Sequence, residues 1–135
     1  MRHALAFLLL LALAAPAPAQ EARNPGIERV ITSQIEAFLA DDFETAFTFA
    51  APAIRRIFRT PENFGRMVRE GYPMVWRPAR VEFLTLERRD GLLVQRVLIE
   101  DAAGAYYVAE YIMVEGGDGW QINGVRIERA GEMAA

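Results

Sequence analysis

The hydrophobic period of this chain changes once, at Pro78, and that change decides its fold class. Before Pro78 apolar residues recur every three or four positions; after it they alternate. Ile27, Val30, Ile31, Ile35, Phe38 and Leu39 mark one face of an amphipathic helix. Asp41-Asp42 interrupts that stripe and offers an N-cap to a second helix carrying Phe43, Ala46, Phe47 and Ala50. The stretch PAIRRIF then turns Ile54, Ile57 and Phe58 inward. Thr60-Pro61-Glu62-Asn63 reads as N-cap, proline at the first helical position and an acid in the first turn. Phe64, Met67 and Val68 follow on the core side, and Gly71 ends the helix.

Past Pro78, ARVEFLTLER alternates, with Val81 and Phe83 on one face, and Asp90-Gly91 is a two-residue hairpin signal. LLVQRVLIE returns, Asp101 to Gly104 turns, AYYVAEYIMVE runs out, GGDG turns again, and WQINGVRIER closes the meander. Helices followed by hairpin-linked strands predict an α+β chain, with N-terminal helices packed against a curved antiparallel sheet of about four strands. The expected division is a leader over residues 1–19, a linker over 20–26, one domain over 27–129 and a flexible tail over 130–135.

The leader assignment rests on three features of MRHALAFLLLLALAAPAPAQ. Arg2 makes the start positive. Ala4 to Ala15 is an apolar run of about a dozen residues, within the ~7–15 of a secretory core and short of the ~20 that span a bilayer. Ala17-Pro18-Ala19 supplies the small-residue cleavage pattern, so an exported, periplasmic or secreted chain starting near Gln20 is expected, without stable membrane insertion after cleavage.

About 116 residues then remain, enough for one domain. His3, the only histidine, leaves with the leader, and the chain has no cysteine and no lysine. Thiolate–imidazole pairs, Schiff-base lysines and zinc sites built from Cys and His are thereby excluded from the mature protein. No cofactor or metal is assigned. Losing Arg2 from the 15 basic residues leaves 14 arginines against 18 carboxylates, a balance that argues against nucleic acid as a partner.

The segments QIEAFLADDFETAFTFAAPAIRRIF, ENFGRMVREGYPMVWRP and GWQINGV, in that order, resemble the nuclear transport factor 2-like superfamily. The nearest texture is that of a bacterial family of exported domains of unknown function. The resemblance covers residues 27 to 128 and implies a cone whose sheet wraps the first helix and often encloses an apolar cavity. Members are isomerases, dehydratases or modules with no activity. The His-Asp pair of the dehydratases has no counterpart here, and fold likeness alone assigns no function.

Candidate ligand-binding residues cluster in EGYPMVWRP and on the late strands. Pro73 and Pro78 stiffen the crossover from helix to sheet. Tyr72, Met74 and Trp76 either plug the open end of the cone or line a cavity mouth, with Trp120 facing them from the last strand. Glu110 shares its face with Tyr106, Val108 and Ile112, while Tyr111 lies on the other. Arg96, across the hairpin, comes into range of Glu110 if pairing centres on the Asp101–Gly104 turn. A paired Glu110 is structural, and a lone buried one is a general-acid candidate. Asn123-Gly124 inside a strand reads as a bend of the sheet or a backbone donor open to ligand. Asp41-Asp42 reads as caps before it reads as a metal site, and Arg55, Arg56 and Arg59 as a solvated face or an anion patch. The expected function is a non-catalytic exported module binding a small apolar ligand or an envelope protein, with a homodimer through the sheet face also in view. The alternative is a small lyase or isomerase using Glu, Tyr and Arg in the cavity.

Overall fold

Asn24 starts the first helix: its Oδ1 accepts from the backbone N–H of Gly26 at 3.0 Å and of Ile27 at 3.2 Å. Pro25 follows at the first helical position and Glu28 places a negative charge in the first turn, so cap, proline and macrodipole agree. The computed structural model describes residues 19–130. The leader read over residues 1–19 lies outside that range except for Ala19, and the tail over 130–135 lies outside it except for Ala130. Helix α1 runs Pro25–Leu39 and buries Ile27, Ile31, Ile35 and Phe38. Phe38 is 1% exposed, which contributes on the order of 1.5–3 kcal/mol of apolar transfer free energy.

Four shorter helices follow: α2 Phe43–Thr48, α3 Pro52–Phe58, α4 Pro61–Gly71 and the single turn α5 Pro73–Trp76. The Asp42 side chain caps α2 through Thr45 N–H at 3.1 Å, and the Thr60 hydroxyl caps α4 through Asn63 N–H at 3.1 Å, both as their sequences predict. Phe64 ties these helices together, with ring centroids 5.9 Å from Phe38, 5.3 Å from Phe47 and 5.8 Å from Phe58. Ile57, expected inward, is 67% exposed instead.

The sheet is an antiparallel meander of five strands rather than about four: β1 Ala19–Glu21, β2 Arg80–Arg89, β3 Leu92–Glu100, β4 Tyr106–Gly116 and β5 Gly119–Arg129, in that spatial order. The extra strand straddles the expected leader–linker boundary: Ala19, read as the end of the leader, and Gln20 and Glu21, read as linker, pair with Arg88, Glu87 and Leu86. The β2–β3 hairpin turns on Asp90 and Gly91, both at positive φ (50° and 77°), as an Asp-Gly hairpin demands.

Two bulges shape the sheet. Opposite Arg96, β2 spends two residues, Leu84 and Thr85, and this extra residue brings Leu86 to the face already occupied by Val81 and Phe83. Gln95, 1% exposed, satisfies the disturbed backbone by donating from Nε2 to the carbonyls of Leu84 at 3.2 Å and Arg96 at 2.9 Å. The second bulge leaves Asn123 unpaired between Ile122 and Gly124. There the free edge of β5 meets the helical layer: Ile122 donates to the Phe49 carbonyl and accepts from Ala51 N–H, each at 2.8 Å.

The register sorts each strand into two faces. Val97, Ala109, Tyr111, Met113 and Ile122 turn to the helices and are almost wholly buried. Arg96, Glu110 and Arg126 form a row on the opposite face.

Candidate functional site

Between α1, α3, α4, α5 and β5 lies a cavity of about 310 Å³. Helix α1 contributes Gln34 and Phe38; α3 contributes Ile54, Ile57 and Phe58; α4 contributes Phe64, Met67 and Val68. Tyr72 and Val75 close it from the crossover, and Ile122 and Val125 form its floor on β5. Only Gln34 and Tyr72 bring polar side-chain atoms to this wall, and the Gln34 amide already donates to the Ala46 carbonyl at 3.2 Å. A space of this size is at the lower end of the ~300–1,000 Å³ of ligand pockets and has their apolar lining.

The crossover EGYPMVWRP divides its labour. Tyr72 and Val75 face the cavity, while Trp76 and Arg77 anchor the segment to the end of α1. The Trp76 indole donates to Asp41 Oδ1 at 2.9 Å, and Arg77 donates to the same oxygen at 2.8 Å and to the Phe38 carbonyl at 2.7 Å. The Arg77 guanidinium also stacks over the Trp76 ring, 4.2 Å from its centroid. These donors, the Trp76 indole first, hold the Asp41 carboxyl below the usual carboxylate range. Asp41 can accept them because it sits at φ 54°, in the left-handed region that ends helices.

The other sequence candidates do not join this cavity. Met74 is half-buried and packs on the core beside it. Trp120 packs against Gly26 at the start of α1, whereas Trp76 is held at its end, so the two indoles are separated by roughly 20 Å of helix at ~1.5 Å per residue and do not face each other. Asn123 occupies the β5 bulge. Tyr111 points to the helices but is fully buried in the core, not on the cavity wall; its hydroxyl has no hydrogen-bond partner among the described residues, and burial raises its pKa.

Glu110 and Arg96 stand on the far face of the sheet. The register pairs them directly, with Arg96 Nε 3.7 Å from Glu110 Oε2, but the stronger partner is Arg89 from β2, whose Nη2 donates to the same oxygen. Arg89 Nε in turn donates to Glu87 at 2.9 Å. The Arg89 hydrogen bond, more than any other interaction, lowers the Glu110 pKa. Glu110 is therefore an ionised, paired carboxylate outside the cavity. Sequence reasoning found its Arg96 partner from the hairpin register and missed Arg89, which reaches it across β3.

Among the described residues no group of three or more His, Cys, Asp or Glu could hold a metal ion, and no helix is long and apolar enough to cross a membrane. Of the wall residues, sequence reasoning named only Tyr72 as a site candidate; the others, Ile54, Phe58, Met67 and Val125 among them, carry no local signal beyond hydrophobic period, because the cavity exists only where five elements meet. No curated protein matches the chain, and no solved structure matches it. The model of one family, Domain of unknown function (DUF4864), matches residues 20–135, and the chain belongs to that family.

Proposed function

We propose that this chain is an exported, periplasmic module that binds a small apolar ligand without turning it over, using the cavity under α3 and α4. Its export rests on the leader pattern of residues 1–19, and its kinship with the nuclear transport factor 2-like superfamily rests on the order of helices and meander and is part of the same proposal. The carrying observation is the cavity itself: about 310 Å³, apolar on nearly every side and lined by the exposed Ile57 where it meets the surface. Burial of a hydrocarbon there is favoured at roughly 25 cal/mol per Å² removed from water. Binding is preferred over lyase or isomerase chemistry because the carboxylate such chemistry needs, Glu110, is engaged by Arg89 on the other face of the sheet.

Native mass spectrometry of the mature protein purified from its own envelope fraction tests this. A co-purifying small molecule is expected, displaced when Val68→Phe fills the cavity, and benzene is expected to raise the melting temperature of the parent but not of the variant. A bare chain mass combined with no benzene response would refute the proposal. The same spectrum reads the oligomeric state, where a doubled mass would point to pairing through the sheet face that exposes Leu92 and Tyr106.

A further inference from the structure

The arginines are distributed unevenly. Helices α3 and α4 and the turn between them hold five, Arg55, Arg56, Arg59, Arg66 and Arg69, against two acids, Glu62 and Glu70. Among the described residues none of these five forms an ion pair. Elsewhere every described arginine except Arg29 and Arg129 has a carboxylate partner. An acidic protein has thus left most of its unneutralised positive charge on the two helices that roof its apolar cavity and the turn between them.

The cavity opens toward that charge. Ile57 lines it and is nevertheless 67% exposed, so the apolar wall continues out to the surface. A second, shallow depression of about 470 Å³ shares Phe58 and Met67 with the cavity and adds Asn63, Arg66 and Glu70. On α3, the Arg55 Nε is buried and has no hydrogen-bond partner among the described residues. Buried donors are normally satisfied, so this N–H is free to meet an acceptor from outside the chain.

We propose that the ligand of this cavity is a single-chain amphiphile with an anionic head group. The hydrocarbon chain lies against Phe58, Phe64 and Met67, and the head group rests on Arg66 and the arginines of α3. The inference rests on the reading of the cavity as a ligand site and adds the chemistry of what it takes. The volume admits one short chain rather than two. A planar guanidinium matches a carboxylate with two parallel hydrogen bonds and is weakly hydrated, which suits a half-desolvated rim. An ammonium head group would find one carboxylate there, Glu70, against Arg66 and the arginines of α3.

Isothermal titration calorimetry of the mature protein with decanoate, decanol and decylammonium separates chain from charge. Decanoate is expected to bind roughly tenfold more tightly than decanol, the increment of one charge-assisted contact, with decylammonium weakest. Raising salt from ~0.1 M to ~1 M, which shortens the screening length from about 10 Å to about 3 Å, should erase most of the difference. Arg66→Glu should abolish the preference for decanoate and Arg66→Gln reduce it, since Arg66 is exposed and its replacement leaves the core intact. Arg129→Glu, at the far end of β5, should leave it unchanged. Equal, salt-independent binding of decanoate and decanol overturns the anionic head group while the cavity stands as a binding site. Failure of all three probes removes the cavity reading and this inference together. Binding to anionic vesicles without binding free decanoate overturns it in favour of a membrane surface.

Discussion

Gly65 is where a single methyl group tests the packing of the helical layer. A Cβ built on this residue, in the middle of α4, would lie 2.6 Å from both Cγ and Cδ1 of Phe43. Carbon atoms pack best at ~3.5–4.0 Å, so the ring must retreat by about 1 Å. Its retreat is limited: Phe43 is the first residue of the Asp42-capped α2, Phe38 stands 6.2 Å away, and the Arg69 guanidinium lies over its face at 5.1 Å. Overpacking of this kind costs about 1–3 kcal/mol, whereas exchanging a mid-helix glycine for alanine recovers about 1 kcal/mol. With two ring atoms inside contact range the upper half of the first interval applies, and Gly65→Ala should destabilise by about 1–2 kcal/mol. At an m-value of roughly 2 kcal/mol/M, the urea midpoint should fall by about 0.5–1 M with m unchanged. In the Phe43→Leu background the same substitution should become neutral or stabilising, and this sign change is the coupling a double-mutant cycle reads. Gly71→Ala, with nothing within 4 Å, serves as the unobstructed control. A Gly65→Ala protein as stable as the parent, or an equal loss in both backgrounds, would refute the contact as described.

Further perturbations address the sheet, the core and the cavity rim. Glu110→Gln should cost about 1–2 kcal/mol, between an exposed ion pair and a buried charge-assisted bond. Glu110 and Asp41 both titrate below their unfolded values in the native state. Their stabilisation should be complete above about pH 4.3 and decline as pH falls through the lowered native pKa values, a slope that Glu110→Gln flattens in acid denaturation curves. Tyr111→Phe should be neutral or stabilising by up to about 1 kcal/mol, since it removes a buried hydroxyl without a partner; a loss above 1 kcal/mol in urea melts would reveal an acceptor. Arg59 is held at φ 69° and ψ −43°, closing a turn in which Thr60 N–H donates to the Phe58 carbonyl at 2.8 Å. Strain of this kind costs about 1–3 kcal/mol, so Arg59→Gly should raise the urea midpoint despite the added chain entropy; a lowered midpoint would contradict it. Hydrogen exchange should be faster in α3 than in α1 or α4, because α3 buries no residue and lacks a side-chain cap, and equal protection across the three would contradict that ranking.

Local chemistry was the legible part of this sequence. The caps at Asp42 and Thr60, the end of α4 at Gly71 and the Asp90-Gly91 hairpin follow from side chains that act within four residues, so position in the fold cannot disturb them. What escaped depends on partners distant in the chain. β1 is three residues long, and AQE has no alternation to announce it. The β2 bulge changes the parity of a strand in mid-course, and the only hint is the adjacent apolar pair Phe83-Leu84, where alternation falters. The orientation of Glu110 was undetermined because both faces of β4 carry apolar groups. Register resolves it: once Ala109 and Tyr111 pair with Val97 and Gln95 on the helix side, Glu110 has no choice but the other. The two tryptophans looked like neighbours because both stand beside turns, yet α1 lies between them.

The same distinction between locally and distantly held residues separates the two sides of the cavity. Its back is rigid: β5 is bonded to Phe49 and Ala51, and the crossover is clamped at Asp41 by an indole and a guanidinium. Its roof is not. α3 is a seven-residue helix, shorter than a length that is stable by itself, and its apolar side chains Ile54, Ile57 and Phe58 remain partly in contact with water. Those three side chains are cavity wall. A filled core would have turned them inward at the expense of the space. A purely solvated face would have replaced them with charge, as Arg55 and Arg56 do at neighbouring positions of the same helix. In the binding function proposed above, apolar and cationic residues interleaved on one weakly held helix, above a floor fixed by β5, would let a ligand enter by displacing α3 and then stabilise it on closing.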